Sequence, residues 1–304
     1  MNKVGLHACY LRETPYEWDV PASIELAGKY GCDVFEVALA TIIDLAPAQR
    51  AEIKSRAAAL GVTLSVNGGL DARTDLSSSD AAIRRAGIEK MARALHAIHE
   101  IGAEIFCGIN YTAWLVRPER LLTYDEKQKH WDYAVQCMRE VIKVAEDCNV
   151  RYCFEIVNRY EEYLLNTAKE GVAFAEQVGS PNAQLLLDTF HMNMEEDNML
   201  QAMAYAQERG RFGHLHAGES NRRIPGLGAS NIDWPKVFQT IHQIGYDKYI
   251  VMEPFVRMGL ATSMNTCVWR DMTQNHTMEA FMDDVSRGIS FLKHGLKSDR
   301  EAEK

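Results

Sequence analysis

Two patterns of hydrophobic positions alternate along the 304-residue chain. Short apolar runs, bounded by Gly, Asp, Asn or Pro, occupy 3–9, 34–40, 63–67, 104–110, 151–157, 184–190, 212–217 and 249–255. Runs of this length without polar alternation are expected for parallel strands buried on both faces. Between them, apolar residues recur every three to four positions, as in amphipathic helices. The stretch 80–95 follows a Ser77-Ser-Ser cluster suited to an N-cap. Trp131, Ala134, Val135, Met138, Val141, Ile142 and Val144 form a second stripe that stops at Cys148-Asn149. Gly31, Gly61 and Gly102 each follow a helical stretch and precede a strand, where a left-handed C-cap is wanted.

Eight strands alternating with helices imply a parallel sheet with right-handed crossovers. The expectation is a single-domain α/β protein, a closed (β/α)8 barrel over 1–296, in a fold that commonly takes ~250 residues. The competing open, doubly wound sheet carries a Gly-rich phosphate loop after its first strand. Here that strand runs into Tyr10-Leu-Arg-Glu-Thr-Pro-Tyr16, with no such loop. Residues 297–304 read as a charged C-terminal tail.

Composition narrows the partners. With 33 Lys and Arg against 42 Asp and Glu, the net charge is −9. That argues against nucleic acid, which needs a basic surface. No run approaches the ~20 apolar residues that span a bilayer, and the start lacks a signal-peptide core, so a cytoplasmic location with no membrane contact is expected. The seven Cys form no CxxC pair and read as reduced thiols.

In a barrel the site lies at the C-terminal ends of the strands, so polar residues inside apolar runs mark it. The last four runs each supply one: Glu155, Asp188, His216 and Glu253. Three carboxylates and an imidazole suit Mn²⁺, Co²⁺ or Mg²⁺ better than zinc. Without a cation, three such acids cannot stay ionised together. Around them stand Glu161, six residues past Glu155; His191, three past Asp188; and Arg222 and Arg223, before a flexible Pro225-Gly-Leu-Gly228. An Arg there can orient a hydroxylated ligand, and Trp114 is placed either to wall a sugar or to cap the barrel. His96, His99 and Glu100 lack the HExxH spacing and read as a solvated helix face. Gly68-Gly69 is too little for a phosphate loop, and the sequons at Asn110 and Asn275 have no meaning inside a cell.

The segments Glu155-Ile-Val-Asn-Arg-Tyr-Glu161, Leu187-Asp-Thr-Phe-His-Met-Asn193, His214-Leu-His-Ala-Gly-Glu-Ser-Asn-Arg222, Val251-Met-Glu-Pro-Phe255 and Val268-Trp-Arg-Asp271 resemble the motifs of the ketose 3-epimerases, the D-tagatose, D-psicose (D-allulose) and L-ribulose 3-epimerase group. The resemblance runs from Met1 to about Leu296. It implies a xylose isomerase-like barrel in which Glu155, Asp188, His216 and Glu253 bind Mn²⁺ or a similar ion. It also implies that Glu161, His191 and Arg222 contact the sugar, with Trp114 and Phe255 as apolar walls. Two positions depart from the hexulose enzymes: His7 stands where they carry an aromatic residue, and Asn67 where many carry Cys. Both face the distal carbons of the sugar in that family, and His7 brings the chain nearer the L-ribulose type.

The expected chemistry is metal-dependent inversion of a free ketohexose or ketopentose at C3. Glu155 and Glu253 exchange the proton from opposite faces, through a cis-enediolate. An aldose–ketose isomerase on the same ligands is the nearest rival, and a non-catalytic sugar-binding barrel lies outside enzymology. A homodimer or homotetramer is expected, on outer-helix residues such as Trp131, Tyr133 and Phe281 and on the resemblance.

Overall fold

A computed structural model describes residues 2–273 and 277–301. Eight strands form a closed barrel in sequence order: β1 (Val4–His7), β2 (Val34–Ala38), β3 (Thr63–Asn67), β4 (Ile105–Gly108), β5 (Arg151–Ile156), β6 (Ala183–Asp188), β7 (Phe212–Ala217) and β8 (Ile250–Met252). Each pairs in parallel with the next, and β8 pairs with β1. The strands are buried almost throughout, as unbroken apolar runs require. Around them lie α1 (Val20–Lys29), α2 (Pro47–Leu60), α3 (Ala81–Glu100), α4 (Tyr124–Asp147), α5 (Ala168–Val178), α6 (Thr189–Glu195), α7 (Met199–Glu208), α8 (Trp234–Gln243), α9 (Ala261–Asn265) and α10 (Met278–Glu301).

Local chemistry sets the boundaries. The first strand stops at His7 rather than Cys9 because His7 Nδ1 accepts from the Cys9 N–H at 3.0 Å and starts a tight helical turn, Ala8–Leu11. The eighth ends at Met252, two residues before Pro254, which has no N–H for a ladder. Helix α3 is capped by the Asp80 carboxylate on the Ala82 N–H, not by the serine cluster. Ser77 is buried instead, bonded to Asp75 and Thr112. Gly31, Gly61 and Gly102 adopt the positive φ expected of them, and α4 stops at Cys148 before a positive-φ Asn149.

Trp131 and Phe281 pack inward, Trp131 against Phe174 and Phe281 against Tyr10, so neither offers a surface to another subunit, and Tyr133 is half-buried. The last helix runs through Glu301, and residues 302–304 lie outside the described residues, as does the sequon at Asn275. Asn110, the other sequon residue, is fully buried.

One irregularity matters below. Leu185 of β6 pairs with Phe212 of β7, but the next residue, Leu186, pairs with His214. Gly213 is therefore a bulge, and from there His214 and His216 share the face of Leu186 and Asp188. A Cβ on Gly213 would lie 2.6 Å from Cys153 Sγ and 2.7 Å from Gln184 Cβ, so no larger residue fits without movement.

Candidate active site

Glu155 is the fifth of the six residues of β5, Asp188 closes β6, His216 is next to last in β7, and Glu253 directly follows β8. One ligand atom from each lies within 4.8 Å of those from the other three, and all four residues are buried. Neighbouring parallel strands bring their C-terminal ends to one point, which is why residues spread over almost a hundred positions meet.

The electrostatics ask for a cation. Burial, with Glu253 and Asp188 beside it, pushes the Glu155 carboxyl well above the usual range. Burial likewise raises Asp188, although Arg222 opposes the shift. Burial also works to raise Glu253, but His216, His7 and Arg222 outweigh it and leave it low. His216 Nε2 lies 2.7 Å from Glu36 Oε1, whereas its Nδ1 is buried without a hydrogen-bond partner and sits 3.5 Å from Glu253 Oε2. A buried nitrogen left open beside three acids is available to a cation, and this donor set fits a divalent ion of the Mn²⁺, Co²⁺ or Mg²⁺ kind.

Above this group opens a cavity of about 620 Å³, lined by Glu155 and Glu253 together with His7, Asn67, Ile109, Trp114, Glu161, Arg222 and Phe255. Trp114 forms part of the wall, and its Nε1 donates to Glu161 Oε2 at 3.2 Å. Arg222 has a positive φ of 65°. Its guanidinium donates to Asp188 and Glu253 at 3.1 Å each and to Glu161 at 3.3 Å, and lies between the rings of Phe190 and Phe255. Three carboxylates outweigh burial and keep it charged. His191 is buried beside these residues, its Nε2 3.1 Å from Arg222, 3.8 Å from Glu155 and 3.9 Å from Asp188. The Asn158 N–H donates to its Nδ1 at 3.1 Å, and burial with Arg222 nearby keeps the ring neutral.

The sequence pattern of the xylose isomerase-like TIM barrel matches residues 24–272. D-psicose 3-epimerase of Ruminiclostridium cellulolyticum is 36% identical over 295 residues, 97% of this chain and 98% of that protein. The chain belongs to the ketose 3-epimerases. L-ribulose 3-epimerase of Mesorhizobium japonicum is 30% identical over 99% of this chain and 96% of its own. A crystal structure of D-psicose 3-epimerase with D-tagatose from Clostridium cellulolyticum H10 superposes with a TM-score of 0.89 at 35% identity, covering 97% of this chain and 99% of that one. This ketose 3-epimerase family member is thus an enzyme, a carbohydrate epimerase on a TIM barrel.

His7 and Asn67, the two positions expected to depart from the hexulose enzymes, both reach the cavity. His7, held neutral by burial, has its Nδ1 3.8 Å from Glu253, and Asn67 donates weakly to Cys107 Sγ at 3.8 Å. Sequence reasoning missed Arg12, which lines the same cavity and pairs with Glu17 at 3.0 Å. It also missed Glu219, whose carboxylate holds Trp234 Nε1 at 3.0 Å and the Ser230 hydroxyl, fixing the loop that carries Arg222. Glu36 escaped as well. It was visible as a lone acid inside Val34-Phe35-Glu36-Val37-Ala38, the same signal that marked Glu155. His96, His99 and Glu100 are exposed, as expected, with Glu100 paired to Arg50.

Proposed function

We propose that this enzyme inverts C3 of free ketoses, ketohexoses such as D-tagatose, D-psicose and D-fructose or ketopentoses such as L-ribulose, with Glu155 and Glu253 as the proton-transferring pair. The observation that carries this reading is that the two glutamates share one cavity wall and one ligand cluster, with Asp188 and His216 completing the set. Glu155, Asp188, His216 and Glu253 would hold the divalent ion, Mn²⁺ or alternatively Co²⁺ or Mg²⁺. When bound, that ion supplies positive charge against the ketone oxygen and the adjacent hydroxyl, where negative charge builds as the proton leaves.

The chain's own residues do the rest. One glutamate removes the C3 proton and the other returns one on the opposite face, each worth about 10²- to 10⁴-fold. Arg222 and Glu161, already bonded to each other, hold the sugar's hydroxyls. Trp114, Ile109 and Phe255 supply apolar faces that exclude water. The neutral His191, beside Glu155 and Arg222, joins them in contacting the sugar. Both guanidinium groups on the cavity wall are paired with carboxylates, Arg222 with Asp188, Glu253 and Glu161 and Arg12 with Glu17, which favours an uncharged sugar over its phosphate.

Incubation with Mn²⁺ and a panel of ketoses in D₂O, read by chromatography and NMR, tests the proposal. Deuterium at C3 with the C3 epimer as product is the expected outcome. Deuterium at C1 with an aldose product makes the enzyme an isomerase, and faster turnover of a ketose phosphate reverses the substrate class. A symmetric homodimer or homotetramer is part of the proposal, supported by the exposed Trp18, Leu121, Tyr124 and Trp269 in segments that follow strand ends. Light scattering that finds only the 34.3 kDa chain would remove it.

A further inference from the structure

Glu36 is fully buried in the barrel interior, and no Lys or Arg pairs with it among the described residues. Its Oε1 lies 2.7 Å from His216 Nε2. Its Oε2 lies 2.8 Å from His214 Nε2, 2.7 Å from Ser65 Oγ and 3.2 Å from Cys107 Sγ. Each of these neighbours can donate a proton, and a carboxylate is the side chain that only accepts. Four donors from β3, β4 and β7 thus converge on one acceptor carried by β2. With its Nε2 engaged this way, His216 turns Nδ1, the nitrogen with no partner, toward Glu253 and the other ligand residues.

We propose that Glu36 is a positioning residue: it holds the proton of His216 on Nε2 and fixes the ring so that Nδ1 presents its lone pair to the divalent ion. The inference rests on the metal reading of the site given above. It explains why an acid sits where a barrel interior normally packs branched aliphatic residues, and why two histidines sit two residues apart on β7. His214 shares the carboxylate and sets the plane in which Glu36 meets His216. Outer partners of this kind are commonly worth 10- to 100-fold in metal affinity. Glu36, Cys107, His214 and His216 are also close enough to be imagined as a metal centre of their own. The Glu36 carboxylate is satisfied by its neighbours' protons without one, and a second ion there would have to share His216 with the first.

The test compares the full-length wild type with Glu36→Gln, which keeps shape but sets an amide N–H₂ against at least one of these donors, and Glu36→Asp, which keeps an acceptor. Free Mn²⁺ measured by electron paramagnetic resonance should show one ion per chain. Affinity should fall 10- to 100-fold in Glu36→Gln and less in Glu36→Asp, while the metal-free proteins retain wild-type circular dichroism. Ring-nitrogen NMR of the Mg²⁺-saturated wild type should find the His216 proton on Nε2. Cys107→Ser, which keeps a hydroxyl against both Glu36 and His216, should bind Mn²⁺ within threefold of wild type, so a loss as large as that of Glu36→Gln overturns the proposal. If Glu36→Gln does not fold, Glu36→Asp and the NMR assignment decide. Unchanged Mn²⁺ affinity in a folded Glu36→Gln, or a His216 proton found on Nδ1, overturns the proposal while leaving the metal reading intact. Two ions per chain replace it with a second metal centre, and a wild type that binds no Mn²⁺ removes both.

Discussion

The two halves of the barrel are built from similar strands and do different work. In β5 to β8 each strand end delivers one acid or imidazole to a single point, and the acids there repel one another. In β1 to β4 the polar residues facing the same interior are Glu36, Ser65, Asn67 and Cys107, which bond to neighbours or line the cavity, and His7 beside them. Apart from the open Nε2 of His7, the first half settles these polar groups and lends one carboxylate to the other. The second is left with a deficit of positive charge. The contrast separates reactivity, which needs unsatisfied groups, from support, which needs satisfied ones.

The largest expected effect breaks the second half directly. Glu155→Gln and Glu253→Gln should each reduce kcat for C3 inversion by about 10³-fold or more, since a proton acceptor is lost and metal geometry suffers with it. A Glu253→Gln enzyme that keeps its ion should still exchange the C3 proton of one epimer with solvent deuterium, and Glu155→Gln that of the other. Two variants that both invert at near wild-type rates would remove the two-base reading.

A second test asks whether the stress extends into the loop after β5. Glu162 is buried, and burial pushes its carboxyl up to about 7 against the backbone N–H groups of Leu165 and Leu164 that hold its anion. Folding therefore tightens its hold on a proton. Its contribution is fully present below about pH 4.5 and is lost as pH rises through 7, a change of about 3 kcal/mol for a shift of that size. Urea unfolding between pH 5 and 8 should show this decline in wild type and a flatter profile in Glu162→Gln. Equal slopes would show that the acid is not strained.

Ion removal comes next. Dialysis against a chelator should abolish activity and lower the melting temperature by a few degrees, since an ion at 100 times its Kd stabilises the folded state by about 2.7 kcal/mol. Mn²⁺ or Co²⁺ should restore both, and full activity in a metal-free sample would sink the proposed ligand set. The smallest effect belongs to the first half. His7→Phe and Asn67→Ala should shift the ratio of kcat/KM for L-ribulose over D-fructose by about 10-fold, because both side chains line the cavity without belonging to the proton-transferring pair. A loss of kcat above 10²-fold for both sugars would place them in the chemistry instead.

The barrel was legible because fully buried parallel strands leave long apolar runs that helices do not imitate at that length. The four clustered residues were legible for the same reason, since an acid or imidazole inside such a run stands out. Glu36 sent the same signal from β2, yet its meaning is carried by His214, His216, Ser65 and Cys107, which lie 29 to 180 positions away. Nothing in one sequence joins those residues until the closing of the barrel does. The cap of α3 was misplaced because Ser77 and Asp80 are both good caps, and only the buried network around Asp75 and Thr112 takes Ser77 out of contention. His191 was picked out by its place three residues past Asp188, whereas the Asn158 N–H that holds its Nδ1 comes from the loop after β5 and is not readable from that spacing.

The bulge at Gly213 works like a reading frame. Upstream of it, alternate residues of β7 point one way, and downstream they point the other, so one extra residue decides that both histidines look inward. Exchanging a single side chain along this strand changes one contact. Pairing the same residues without the bulge would instead turn His214 and His216 out among the helices and bring Leu215 in beside Asp188. Removing Gly213 itself would leave Leu186 opposite His214, so a relative can lose the bulge and keep both histidines inward only by losing that one residue with it.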